Sequence, residues 1–266
     1  MKRITLDTVS STNSFLATQA AAEGGAMTVV TAEEQTAGRG QGTNTWESAR
    51  GQNLLFSIMV HPRRVAAADI WVLSEAIAVS IAEVVARCID AEGDECRGGA
   101  GATVTVKWPN DIYVGDAKIA GILIETRMSS QHVERAIIGC GVDVNQTEFS
   151  FSSPEPTSLA LLTGRRWERQ TVLEKILAAF RRRYESIEGT TASNSTDTSA
   201  ATQRIHEEYM SLLYRREGCY GWEDKDGAFS ARIADVTRQG QLILEDTSGR
   251  RRAYYFKEVS YERRQP

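Results

Sequence analysis

The sequence predicts an α+β fold: a mixed, mainly antiparallel sheet packed with helices on one side, followed by a small C-terminal β-barrel-like cap. Three patterns point to it. Between Thr103 and Val144, short β-rich runs follow one another across tight turns, which is a meander and not an alternation of strands and helices. Two long segments, Ala66 to Cys88 and one opening at Thr171, carry apolar residues at helical spacing. From Cys219 onward the pattern changes to brief alternating runs separated by Asp226-Gly227, Gln239-Gly240 and Ser248-Gly249. The last change divides the chain into 1–215 and 216–266.

Each element has a local reason. Alternation starts at the N-terminus, and Ser11-Thr12-Asn13 then offers side-chain oxygens to the free amides of a short helix, Ser14 to about Ala22, which Gly24-Gly25 stops. Met27 to Thr31 reads as a strand. The segment from Gln35 to Trp46 is too rich in glycine and small polar residues for regular structure and reads as a loop. Asn53 to Val60 is an apolar strand, and Ala66 to Cys88 sets Ile70, Leu73, Ile77, Ile81, Val84 and Cys88 on one helical stripe. Asp90 to Ala102 has no period and reads as a flexible excursion before a strand at Thr103 to Trp108. Asp111 to Val114 and Ala117 to Thr126, around Gly115-Asp116, form a hairpin, and Val133 to Val144 supplies a further strand. Thr171-Val-Leu-Glu174 has capping-box spacing and opens a helix. Gly189 to Thr202 lacks large apolar residues and reads as a disordered insertion, followed by a helix at Gln203 to Tyr214. Strands are expected at Phe229 to Val236, Gln241 to Glu245 and Ala253 to Val259.

Composition narrows the function classes. The 266 residues hold 31 Lys+Arg against 35 Asp+Glu, a net charge of -4, and 41% of them are hydrophobic. That is no polybasic nucleic-acid binder, and a chain of this length buries roughly 70–75% of its unfolded surface. The most apolar helix is interrupted by Asp69, Glu75, Glu83 and Arg87, so no membrane span is expected. No signal-type stretch opens the chain. Cys88, Cys96, Cys140 and Cys219 are scattered and His61, His132 and His206 lack ligand spacing, which fits a reducing cytoplasm and no zinc site.

Three stretches exceed what core building requires. Gly38-Arg39-Gly40 lets backbone amides converge on an anion while Arg39 adds a planar cationic fork, although alone it reads sooner as a mobile surface loop with a solvated arginine. Lys107-Trp108-Pro109-Asn110-Asp111 ends a strand in a turn bearing a cation, an amide and a carboxylate. Lys118-Ile-Ala-Gly121-Ile-Leu-Ile-Glu125 puts a lysine at the start of a buried strand with a glycine inside it. Strict alternation sends Lys118 and Gly121 to opposite faces, so Gly121 is expected to contribute backbone to any shared pocket.

In their order and spacing, Ser11-Thr12-Asn13, Gly38-Arg39-Gly40 with Trp46, Lys107 to Asp111, Lys118 to Glu125 and Gly139-x-Gly141-x-x-x-Asn145 closely resemble the biotin protein ligase family, from about Leu6 to Leu162. The resemblance implies a class II synthetase-like catalytic domain at 1–215 and an SH3-like cap at 216–266. It implies a ligase that joins biotin to ATP as biotinyl-5'-adenylate, with Mg2+ on the triphosphate through unassigned protein ligands. The biotinyl group then passes to a lysine of a carboxylase's biotin carboxyl carrier domain. By resemblance, Lys118, Arg39 and Asp111 are catalytic, with Lys118 central to adenylation. Ser11, Thr12, Asn13, Gln35, Gly38, Arg39, Gly40, Gln41, Lys118 and Gly121 hold biotin. Arg39, Trp46, Lys107, Asn110, Asp111, Asp143 and Asn145 serve ATP, with Trp46 either stacking on adenine or anchoring the loop.

The sequence departs from that family in two places. Gln41-Gly42-Thr43-Asn44 replaces further arginines, removing cations that would hold the adenylate, and Asp143 stands where asparagine is usual. There is no room before Leu6 for a helix-turn-helix domain, so no repressor function, no nucleic-acid partner, and a cytoplasmic monomer or homodimer are expected. Two competing readings are a lipoate or octanoate protein ligase, which shares the Lys-Trp-Pro-Asn-Asp segment, and a non-catalytic biotin-binding module.

Overall fold

The computed structural model describes residues 1–19, 27–90, 103–129, 132–150, 154–189 and 198–262. In its first part, β1 (Lys2–Val9), α1 (Thr12–Ala17), β2 (Thr28–Gln35), β3 (Leu54–Val60) and α2 (Trp71–Asp90) lead into β4 (Val104–Lys107), β5 (Asp111–Val114), β6 (Ala117–Met128) and β7 (Val133–Val142). The seven strands form one sheet in the order β1-β2-β3-β7-β6-β5-β4. Among the described strands of this sheet only β1 and β2 are parallel; the other pairs are antiparallel, so the sheet is mixed as expected.

β3 and β7 are the middle of the molecule because their apolar residues serve both faces. Phe56, Ile58 and Ile138 join the large buried cluster that contains Leu73, Ile77 and Ile81 of α2. Met59 and Ile137, pointing the other way, are buried with Val30 of β2 and Leu16 of α1. Helices therefore cover both faces, where the sequence reading expected one. The reason is that every residue of Leu54–Val60 is buried, which alternation permits only between two covering layers. The functional cleft lies on the α1 face.

Further along, α3 (Leu159–Thr163), α4 (Arg169–Ile187) and α5 (Thr198–Ser211) follow, and α4 and α5 pack on α2. α4 starts two residues before Thr171, with Glu168 as its cap accepting from the Gln170 amide at 3.2 Å. The capping box is not formed, because Glu174 is engaged by Arg3 and by Gln170 Nε2. α5 absorbs residues 198–202 of the expected insertion and ends three residues short of Tyr214. The rest of that insertion (190–197), the excursion at 91–102 with Cys96, and the helix stop at Gly24-Gly25 lie outside the described residues.

The C-terminal part holds β8 (Tyr220–Asp224), β9 (Gly227–Val236), β10 (Leu242–Asp246), β11 (Arg251–Tyr254) and β12 (Val259–Tyr261), an antiparallel sheet ordered β11-β10-β9-β8-β12 with β11 and β12 at its edges. β8 was not anticipated, and the single strand expected from Ala253 to Val259 is two. The chain turns between them: the Glu258 amide donates to Tyr255 O at 3.1 Å, Glu258 Oε2 accepts from the Tyr255 amide at 2.6 Å, and Lys257 takes a φ of 71°. This sheet docks on the rest of the molecule through tryptophans. Trp108 Nε1 donates to Gly240 O at 3.0 Å, and the Trp71 ring fills the space where Gly240 lacks a side chain. No described helix is long and apolar enough to cross a membrane.

Candidate active site

The start of α1 supplies the polar end of the cleft. Ser11 caps the helix, its side chain accepting from the Ser14 amide, and Ser11, Thr12 and Asn13 are buried. The Thr12 amide and hydroxyl both donate to Gln35 Oε1, at 2.7 and 3.0 Å. Ser57 Oγ lies 2.7 Å from Thr12 Oγ1 and 2.6 Å from Asn13 Oδ1. Asn13 Nδ2 donates to Leu123 O and, at 2.8 Å, to Glu125 Oε2, which also takes Arg39 Nη2 at 2.8 Å. One continuous chain of neutral and charged hydrogen bonds thus runs from Gln35 to Arg39. Buried polar groups demand such pairing. α1 can approach this closely because Gly139 has no side chain: a Cβ there would overlap Asn13 Oδ1.

The glycine-rich segment is more ordered than its composition suggests. The Gly40 amide donates to Asn44 O at 2.7 Å and the Trp46 amide to Gly38 O at 3.0 Å, with a bridge between Arg39 and Thr45, so it is a small hairpin. At its end, Trp46 lies flat on the sheet over Gly121 and Gly141. A Cβ at Gly121 would be 2.9 Å from Trp46 Cζ3, and one at Gly141 would overlap the indole. Trp46 Nε1 is buried with no partner among the described residues, as is Gln41 Oε1.

The hairpin β5–β6 brings the charges. Asp111 pairs with Gly121 and Ile112 with Ala120, but Tyr113 pairs with Lys118, so Ile119 is an extra residue on β6. This bulge changes the phase of the strand and corrects the expectation from alternation: Lys118 and Gly121 share the cleft. Lys118 Nζ lies 2.7 Å from Asp111 Oδ1 and 5.5 Å from the Trp46 ring centre. Asn110 is occupied with positioning, its Nδ2 donating to Ile122 O at 2.6 Å while its carbonyl accepts from the Ile122 amide. Lys107 Nζ sits among three phenol rings, 4.7 Å from the centre of Tyr113, 5.8 Å from Tyr214 and 5.4 Å from Tyr261. Burial pulls its ammonium below the usual lysine range.

Most of the residues expected to form a site do converge. Ser11, Thr12, Asn13, Gln35, Arg39, Gly40, Gln41, Trp46, Lys107, Asn110, Asp111, Lys118 and Gly121 line one cleft. Gly38 is beneath it, against the Trp46 carbonyl. Asp143 lies in an adjoining cavity with Thr43, Glu47 and Pro154, which shares Asn44, Thr45, Trp46 and Lys118 with the first. Its Oδ1 has no partner among the described residues, and burial pushes its carboxyl well above the usual range against the pull of Lys118. Asn145 is elsewhere, clamping the backbone of Trp167 through both its side-chain atoms. Ser57, Glu125, Gly139 and Phe256 were not anticipated as site residues. Ser57 had a signal, a lone hydroxyl in an apolar strand; Phe256 had none, since it arrives from the C-terminal sheet.

Comparison with known proteins gives the same picture. A Bacillus spizizenii protein named bifunctional ligase/repressor BirA is 29% identical over 254 residues, covering 93% of this chain and 70% of the relative. A Paracoccus denitrificans biotin--[acetyl-CoA-carboxylase] ligase is 30% identical over 158 residues, covering 58% of this chain and 61% of the relative. The structure of an Aquifex aeolicus biotin protein ligase in complex with biotin and ATP superposes with a TM-score of 0.74 at 22% identity, over 98% of this chain and 99% of that one. Residues 6–143 match the biotin/lipoate A/B protein ligase family, a span that takes in every wall of the cleft but Phe256. The chain belongs to the biotin/lipoate A/B protein ligase family.

Proposed function

We propose that this chain is an ATP-dependent ligase that activates biotin as biotinyl-5'-adenylate and transfers it to a lysine of a carboxylase's biotin carboxyl carrier domain. The observation that carries the reading is the position of Lys118, which lines both adjoining cavities. One cavity ends in the hydrogen-bond chain of α1, suited to a neutral ring with donors and acceptors. The other ends in Glu47 and in Asp143, which the family resemblance assigns to the nucleotide side. Where they meet, a carboxylate oxygen would attack the α-phosphorus, the bond to the β-phosphate would break, and pyrophosphate would leave. Two anions must come together there, and the Lys118 ammonium would offset the charge that builds on the α-phosphate. In the second step a carrier amine would attack the acyl carbon, lose a proton, and release AMP.

Arg39, held by Glu125, would orient the carboxylate, and Trp46 would shield the mixed anhydride from water or stack on adenine. No group of three His, Cys, Asp or Glu side chains among the described residues forms a metal site by itself. Mg2+ would enter with the triphosphate, which suits an ion that keeps few protein ligands, and the Asp143 oxygen that has no partner among the described residues is available to it. Residues 1–215 would carry the chemistry and 216–266, read as an SH3-like cap, would close the cleft with Phe256 and help dock the carrier. A cytoplasmic setting, where carboxylases are found, is part of the proposal. Biotin-dependent exchange of pyrophosphate into ATP tests it, with lipoate and octanoate alongside. Exchange with biotin alone supports the reading, whereas exchange with lipoate or none at all defeats it.

A further inference from the structure

The cations of the cleft are largely committed. Arg39 is 2.8 Å from Glu125, Lys118 is 2.7 Å from Asp111, and Lys107 is enclosed by three tyrosines. The tip of the glycine hairpin, Gln41-Gly42-Thr43-Asn44, has no charge of its own. A nucleotide's phosphates would meet there a set of backbone amides but no free ammonium or guanidinium.

The turn between β11 and β12 brings an ammonium with a single ring contact among the described residues, Lys257 Nζ lying 5.7 Å from the centre of Phe256. Phe256 lines the cleft, and the side chain of the next residue, Lys257, lies against Gly42 of the hairpin tip. A Cβ built on Gly42 would be 2.8 Å from Lys257 Nζ and 3.3 Å from its Cε, so the ammonium occupies the place that a side chain at position 42 would take. Lys257 is one of two residues other than glycine with positive φ among the described residues, at 71°. Lysine is not a residue that favours this conformation, and the turn holds it there through Glu258, whose amide and carboxylate both bond to Tyr255. Among the described residues, no carboxylate lies within ion-pair distance of Lys257.

We infer that Lys257, delivered from the C-terminal sheet, contacts the phosphate groups of the bound nucleotide and supplies the cation that the hairpin tip lacks. The inference rests on the ligase reading above. It makes the C-terminal sheet a contributor to nucleotide binding and to retention of the adenylate, while the biotin end of the cleft, built on α1, stays independent of it.

The test is kinetic. Lys257→Gly keeps the turn, since glycine prefers this φ, and removes only the ammonium. In pyrophosphate exchange it is expected to raise KM for ATP about tenfold, the scale of one charge-assisted hydrogen bond, with KM for biotin within about twofold. Release of preformed adenylate is expected to speed up, Lys257→Arg to behave as the parent, and Gln41→Arg in the Lys257→Gly background to restore ATP affinity. An unchanged KM for ATP in Lys257→Gly overturns the inference, as does an equal rise for ATP and biotin, which would mean that the turn only positions Phe256. Absence of exchange in the parent chain overturns the ligase reading and this inference together.

Discussion

Lys118 and Asp111 form an ion pair at 2.7 Å across neighbouring strands, and they do so because Ile119 is one residue too many for its ladder. Without the bulge, Lys118 would point to the other face of the sheet, the one that α2 covers. About a fifth of each side chain is exposed, so the pair is partly shielded from water yet open to a ligand. Lys118→Ala is expected to lower pyrophosphate exchange by at least about 100-fold, the usual cost of removing a group aimed at developing charge. Folding should survive, as a circular dichroism melt of the variant will report, which separates loss of chemistry from loss of structure.

Ser57 joins Thr12 to Asn13 and is fully buried. Replacing it with alanine leaves Asn13 Oδ1 without its partner. The expected cost is about 1–3 kcal/mol of stability in urea denaturation. The same change should raise KM for biotin more than KM for ATP, because the hydrogen-bond chain lies at one end of the cleft. An effect confined to ATP would show that α1 does not face biotin.

Gly141 accommodates the indole of Trp46. In Gly141→Ala the new methyl overlaps that ring, and a rigid strand backbone on the other side cannot yield. The indole is expected to leave the sheet, increasing acrylamide quenching of tryptophan fluorescence. The increase should vanish when Trp46→Phe is added. Exchange activity should fall about tenfold or more, since Trp46 borders both cavities.

A second cluster couples stability to pH. His206 of α5 links Glu75 of α2, at 2.7 Å, to Asp235 of β9, at 3.1 Å, joining the helical layer to the C-terminal sheet. The hydrogen bond to Glu75 raises His206 above its ordinary 6.5. Burial raises the Glu75 carboxyl, against the pull of His206. Both shifts mean that the folded chain binds protons more tightly than the unfolded one. The stability that His206 contributes is complete below 6.5 and is lost as pH rises through its higher folded value. Thermal midpoints are therefore expected to fall between about pH 6 and 8, and His206→Gln should flatten that part of the profile. A slope unchanged in the variant would assign the pH dependence to another group.

Much of this molecule was legible locally. The hairpin at Gly115-Asp116, the stripe on α2 and the close grouping of Lys107, Asn110 and Asp111 depend on contacts a few residues apart, and the structure has them where the spacing puts them. Where prediction and structure differ, a distant partner is the cause. α4 begins at Arg169 because Glu168 provides the cap and Glu174 is drawn to Arg3, far away in sequence. The expected last strand divides because Glu258 folds back onto Tyr255. Asn145, grouped with the site by motif, is used to hold Trp167.

By itself the sequence determined which segments alternate, which are amphipathic, and which short runs concentrate charge and glycine, for these follow from side-chain period and backbone freedom along the chain. Only the tertiary structure decided that Lys118 turns toward Gly121, that Ser57 binds α1, and that Phe256 reaches the cleft and Lys257 the hairpin tip from the far end of the chain. The physical reason is common to all three. Strand phase depends on the register of the neighbouring strand, and a buried polar group or a strained turn is stable only when the residues packed against it, remote in sequence, supply its partners.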